Sequence, residues 1–226
     1  MPITLNLKEN IMKLRKHTLA LFTLLLLGTA AFLGGCAHTG MDRSIKASNS
    51  IKEVDGDIRK MVVQVDATAA SLDALVRAGQ PDVKKLFNTY SDNVAKLDSH
   101  GKKVLKHVEE MKIRNKEYFS EWEKQGDTYT NPQIRELSEE RRNKLADIYA
   151  QVHTAGGGIK ISYLAYISDL KEIQLYLSND LTPKGIETIT PVANKSSQDR
   201  DALKASINPV ISALDGIQAE LYGGKK

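Results

Sequence analysis

The 226-residue chain is short of the residues that build small chemical centres. It has a single cysteine, Cys36, so it forms no internal disulfide and has no paired-cysteine metal or haem-attachment motif. It has one tryptophan, and aromatics make up only 6% of the residues. Alternation of period two is missing over any useful length, which excludes strands. No His-Glu-x-x-His zinc motif, no Glu-x-x-His pair of the di-iron kind and no Gly-rich phosphate loop occurs. These absences point away from an enzyme. They leave no resident metal or cofactor to expect.

A long uncharged apolar run is lacking as well. The best one, Leu19 to Phe32, has about 14 residues, against roughly 20 needed to cross a bilayer as a helix. Its flanks explain it differently. Lys13, Arg15 and Lys16 precede it, and Leu33-Gly34-Gly35-Cys36 follows it. A positive region, an apolar region and small residues in that order form an export signal. Met12 opens that positive region, so the natural start is expected there, with residues 1–35 as the signal.

The tetrapeptide resembles the lipobox of bacterial lipoproteins. That resemblance implies cleavage before Cys36, a diacylglyceryl group on its thiol and acylation of the new amine. Each buried methylene contributes about 0.8 kcal/mol, so several acyl chains hold firmly to a bilayer. Ala37 follows the cysteine where retention in the inner membrane usually calls for Asp. The resemblance therefore implies the inner leaflet of the outer membrane, with the protein facing the periplasm.

Charge gives no further address. Residues 1–35 carry Lys8, Lys13, Arg15, Lys16 and Glu9; without them the 32 basic and 28 acidic residues fall to 28 and 27. A nearly neutral mature chain offers no support for nucleic-acid binding, which needs a concentrated basic face.

What the mature chain does have is apolar residues at alternating steps of three and four, the seam of a coiled coil. The first run is Ile51, Val54, Ile58, Met61, Val65, Thr68, Leu72, Leu75. The second goes from Val83 through Tyr90, Leu97, Gly101, Val104, Val108, Met111 and Asn115 to Tyr118 and Trp122. The third goes from Ile134 and Leu137 through Arg141, Leu145, Ile148, Val152, Ile159, Tyr163 and Tyr166 to Leu177, with a stutter at Arg141 that unwinds the supercoil locally. The fourth goes from Ile186 through Ala193, Ser196, Arg200, Leu203 and Val210 to Leu221, with a polar first half. Gly79-Gln80-Pro81, Gly126 with Asn131-Pro132, and Thr182-Pro183 punctuate them.

The expected fold is thus all-α: an elongated antiparallel four-helix coiled-coil bundle after the signal. The lipidated end and a short tether should occupy 36–43 and the bundle 44–222, with helices at 44–78, 82–125, 132–180 and 183–221. Pro191 and Pro209 should kink or break the fourth helix. The Gly156-Gly157-Gly158 run either breaks the third or, with Gly56, Gly101 and Pro209, makes a narrow waist, because reflection about the turns sets Gly101 opposite Gly156.

The same reflection sets Trp122 opposite residue 37 and carries Arg135 past the C-terminus. The hairpin of the second and third helices should overhang at the anchored end. Its tip holds Tyr118, Phe119, Trp122 and Tyr129, which either close the bundle or touch lipid or a partner. His100, His107 and His153 read as solvated surface histidines rather than metal ligands. Arg141, Arg200 and Asn115 are polar seam residues; either an acidic neighbour such as Glu139 or Asp199 pairs with them, or the bundle opens there and their side chains reach water.

From about Leu86 to Leu221 the chain resembles a bacterial family of coiled-coil envelope lipoproteins catalogued as domain of unknown function 2959. The stretch from Tyr176-Leu177-Ser178-Asn179 through Asp180-Leu181-Thr182 to Pro183-Lys184-Gly185-Ile186 carries the likeness, with Phe119-Ser120-Glu121-Trp122-Glu123 as a second match. The resemblance implies an envelope location and a helical fold, and brings no activity with it. The expected role is a structural or partner-binding one at the bilayer, toward an unknown envelope protein, with self-association open. A ligand- or metal-binding bundle is the alternative.

Overall fold

The computed structural model describes residues 37–77 and 79–222. The expected export signal at 1–35, the expected start at Met12, the lipobox-like Leu33-Gly34-Gly35 and Cys36 lie outside the described residues.

Four helices follow one another: α1 (Ala37–Val76), α2 (Val83–Gly126), α3 (Pro132–Asn179) and α4 (Pro183–Tyr222). Helix α1 begins at Ala37 rather than near residue 44, so the stretch read as a tether is helical. The other ends lie within two residues of the expected ones.

The helix starts have ordinary causes. The Asp82 carboxylate accepts a hydrogen bond from the Lys85 amide at 3.0 Å. Asn131 Oδ1 accepts from the amides of Gln133 and Ile134, with Pro132 in the first turn. The Thr182 hydroxyl accepts from the Gly185 amide at 3.1 Å. Each satisfies a donor that a helix N-terminus leaves open. Gly79 sits in the α1–α2 turn at φ 77°, where a side chain would be strained.

The seams make the core. All eight α1 positions from Ile51 to Leu75 are buried, as are Tyr90, Val94, Leu97, Val104 and Met111 of α2. Helix α3 contributes Leu145, Val152, Ile159, Tyr163 and Tyr166, and α4 contributes Leu203, Ile207, Val210, Leu214 and Ile217. Neighbours are antiparallel: Asp57 of α1 meets Lys103 and His107 of α2, and Gly158 of α3 lies beside Ser206 of α4.

Two tyrosines cross between α2 and α3. The Tyr90 hydroxyl on α2 donates to the Leu170 carbonyl at 2.7 Å. The Tyr163 hydroxyl on α3 donates back to the Asp98 carbonyl at 3.0 Å. Burial pushes both phenols well above their usual range.

The glycine run does not interrupt α3, which is continuous from Pro132 to Asn179. Val152 and Ile159, at 0% and 1% exposure, flank the run and hold it. Packing outweighs a penalty of about 1 kcal/mol per glycine. Nor do Pro191 and Pro209 break α4. Each proline removes the bond to a carbonyl four residues back. Those carbonyls belong to Glu187 and Ala205, both exposed residues, so water serves them.

The waist is also not formed. Gly101 lies under the Tyr163 ring and Gly156 lies against Val108, so the two glycines are not opposite. The reflection assumed flush helix ends, whereas the turn at 127–131 staggers α2 against α3.

Candidate functional site

Three regions carry chemistry. The first is the tip of the α2–α3 hairpin. Tyr118, Phe119 and Trp122 are half-buried and in contact, with ring centroids 5.1 Å apart for Tyr118–Phe119 and 5.5 Å for Tyr118–Trp122. Phe119 meets Tyr149 of α3 edge-on at 5.2 Å. The Trp122 indole donates to Ser138 at 2.9 Å. The Tyr129 carbonyl accepts from Arg135 at 2.8 Å. Tyr118, Phe119 and Trp122 thus pack on one another and against α3.

What the tip exposes instead are two seam residues. Ile134 is 49% exposed and Leu137 59%. Arg141, the next seam position, reaches α4 at Glu220, close to the end of that helix. The Glu220 carbonyl also accepts from Arg141 at 2.9 Å, and its carboxylate pairs with Lys144 at 3.0 Å. Lys144 and Arg141 hold that carboxyl below its usual range against the opposing effect of burial. The start of α3 thus extends past the described end of α4 at Tyr222. On the α1 side, Arg43 approaches Glu121 at 3.6 Å, a stagger of several residues from the reflected register.

The second region is a buried polar cluster at mid-bundle. Asp57 of α1 is 4% exposed. Its carboxylate takes Lys103 at 3.0 Å and His107 Nδ1 at 2.7 Å. Burial pushes its carboxyl up, but the bonds from Lys103 and His107 outweigh it and hold the group below its usual value. His107 is therefore a structural partner, not the solvated histidine expected, because Asp57 points from α1 onto its face of α2. His153 is exposed, and His100 borders a shallow groove with Gly56 and Arg59. Among the described residues no three His, Cys, Asp or Glu side chains converge as metal ligands.

The other polar seam residues differ from one another. Arg200 pairs with Asp201 at 2.9 Å rather than with Asp199. Asp199 hydrogen-bonds Asp169 of α3 instead. Asn115 is buried, and its Oδ1 has no hydrogen-bond partner among the described residues. Arg141 chooses Glu220 over Glu139, because the facing helix brings Glu220 to it.

The third region, which sequence reasoning missed, is a cavity of about 610 Å³ at the other end of the bundle. Leu75 and Val76 of α1, Val83 of α2 and Ile186 and Pro191 of α4 line it, with Arg77 and Glu187 among the lining groups. Glu187 is held by Lys184 at 2.9 Å. The one sequence signal there is that Pro183 and Pro191 of α4, singled out as helix punctuation, both line it.

A family described as "Protein of unknown function (DUF2959)" matches residues 41–220. The chain belongs to this family. The DUF2959 match runs from α1 nearly to the end of α4, so the bundle itself is the family's unit. No curated protein and no solved structure matches the chain. Among the described residues no helix is long and apolar enough to cross a membrane.

Proposed function

We propose that this DUF2959 protein is a lipid-anchored, periplasm-facing envelope protein whose helical bundle has a structural or partner-binding role. The anchor is the diacylglyceryl and N-acyl lipid on Cys36, in the inner leaflet of the outer membrane. The bundle is not an enzyme on this reading. The tip of the α2–α3 hairpin is its contact end, toward an envelope protein or the bilayer surface.

One observation carries the contact end. Ile134 and Leu137 continue the buried seam of α3 but stand 49% and 59% exposed. Apolar seam residues without a facing helix are an unfilled packing site. The test is a photoreactive residue at Leu137 in intact cells. Repeated capture of one envelope protein supports the partner role. Capture of lipid alone moves the reading to a membrane-contact tip, and no capture of either removes the contact end. The anchor is tested separately by Cys36→Ser, which should release the protein from membranes.

The ligand-binding alternative gains one specific support, the cavity beside Arg77. Its volume of about 610 Å³ lies in the range of small-molecule sites. A thermal-shift screen against small apolar molecules, repeated with Leu75→Trp to fill the space, distinguishes it from an unused void.

A further inference from the structure

The outer face of α3 carries a second seam. Asp147, Ala150, Thr154, Gly157, Ile161, Leu164, Ser168, Lys171 and Leu175 follow one another at alternating steps of three and four. Every one of them is exposed. Ile161 is 74% exposed, Leu164 49% and Leu175 65%. The line is about 42 Å long at the helical rise, and it is the side of α3 opposite the core line of Val152, Ile159, Tyr163 and Leu170.

Single exposed apolar residues need no explanation. A heptad line of them is different, because its spacing is that of a helix-packing seam. Gly157 sharpens the point. A side chain there would meet nothing within 4 Å, so no contact within the described chain calls for glycine. Yet glycine costs a helix about 1 kcal/mol relative to alanine. A close approach by another helix at this point would account for it.

The line is complementary to itself when reversed. Set against a second copy running the other way, with the two-fold axis between Gly157 and Ile161, each Ile161 faces Gly157 of the other copy. Leu164 then faces Thr154, so Ile161 and Leu164 each meet a smaller residue, while Ser168 faces Ala150, small against small, and Leu175 falls opposite Asn143, beyond the paired line. At the ends Lys171 faces Asp147, a pair of opposite charges made twice. A parallel pairing instead sets Asp147 against Asp147 and Lys171 against Lys171, which repel. Asp147 forms no ion pair among the described residues. Lys171 reaches Asp98 at 2.9 Å but stays 47% exposed and keeps further donors.

We infer that two copies of this chain associate through the outer face of α3 in an antiparallel, two-fold arrangement, with Ile161 seated on Gly157. Such an interface is isologous and closed, so it ends at a dimer. It uses a face distinct from the tip residues Ile134 and Leu137 and stands whether or not the tip binds anything.

Two differently tagged full-length copies test this when co-expressed, one with Ala150→Cys and the other with Ser168→Cys, and oxidised in membranes. The wild-type pair, which retains Cys36, is the control. Mixed-tag covalent dimer above the control from the 150/168 pair, and little from a 150/150 pair, is expected. More product from 150/150 overturns the antiparallel arrangement, and no product above control from either pair overturns self-association. Gly157→Ala adds an arm that misfolding cannot mimic. It should raise the melting temperature of the full chain, yet lower the cross-linked yield about tenfold, the factor that 1.4 kcal/mol of lost contact gives. An unchanged yield overturns the seating of Ile161 on Gly157.

Discussion

The ring of Tyr163 occupies the space that a side chain at Gly101 would fill. Gly101 is fully helical and buried, so its value lies in what it lacks. The ring reaches across to α2 and its hydroxyl bonds the Asp98 carbonyl at 3.0 Å only because nothing stands at position 101.

Gly101→Ala should therefore cost about 2 kcal/mol, within the range for forcing atoms into a packed core, despite the better helix propensity of alanine. Gly56→Ala is the control. No atom lies within 4 Å of a side chain there, so it should gain up to about 1 kcal/mol. Urea unfolding of the two variants side by side checks the pair of signs.

Asp57 makes a pH prediction. Its carboxyl is lowered in the fold, so its contribution is present above the unfolded value of 3.8 and is lost as pH falls through the folded value. Asp98 behaves alike. Burial raises it, but bonds from Lys102, Lys171 and Tyr163 bring it to about 2, so its share is lost between 3.8 and about 2. Asp57→Asn should cost about 2 kcal/mol at neutral pH, as for charge-assisted hydrogen bonds. It should also flatten the acid limb of stability against pH, as read by denaturant midpoints from pH 6 down to about 2.

Asp169 has the opposite sign. Burial, then its hydrogen bond to Asp199 and that group's charge, raises its carboxyl above 3.8. The folded state holds this proton more tightly than the unfolded chain. The stabilisation is full below 3.8 and is lost as pH rises through the folded value. Asp169→Asn keeps a hydrogen-bond donor and removes the repulsion, so the melting temperature at pH 7 should rise. The gain should shrink as the pH is lowered toward 4, which thermal melts across that range will read.

Glu220 ties the end of α4 to Arg141 and Lys144 of α3. Exposed ion pairs contribute little to global stability, so Glu220→Gln should change it by less than about 1 kcal/mol. The last turns of α4 should nonetheless open more often. Faster amide hydrogen exchange confined to residues 214–222 is the expected readout, and it should grow with salt in the parent protein.

The heptad lines of Ile51 to Leu75 and Leu203 to Ile217 were legible because spacing alone tells which face is apolar. The starts of α3 and α4 were legible because Asn131 and Thr182, each before a proline, mark a helix start in sequence as well as in space. What was not legible was the stagger between helices. Asn131 and Pro132 tell that a turn is there, but not how far it lifts α3 along α2. That is why Gly101 met Tyr163 instead of Gly156. The partners of Asp57 and Arg141 depended on the corresponding offsets of α1 against α2 and of α3 against α4. The residue nearest in sequence was the wrong partner for Arg141 and Asp199, because facing helices supply the closer charge. The tip residues Tyr118, Phe119, Trp122 and Tyr129 were identified as a group from spacing. That Ile134 and Leu137 are left exposed beside them was not legible, because it depends on the offset of α3 against α4.

The two tyrosine hydroxyls that cross between α2 and α3 have a mechanical consequence. Tyr90 and Tyr163 each grip the other helix's backbone, one from α2 and one from α3. A slide of one helix past the other by a single turn, about 5.4 Å, would break both at once. The hairpin thus resists shear, and a push or pull on its tip passes to the far turns as a displacement of the whole strut.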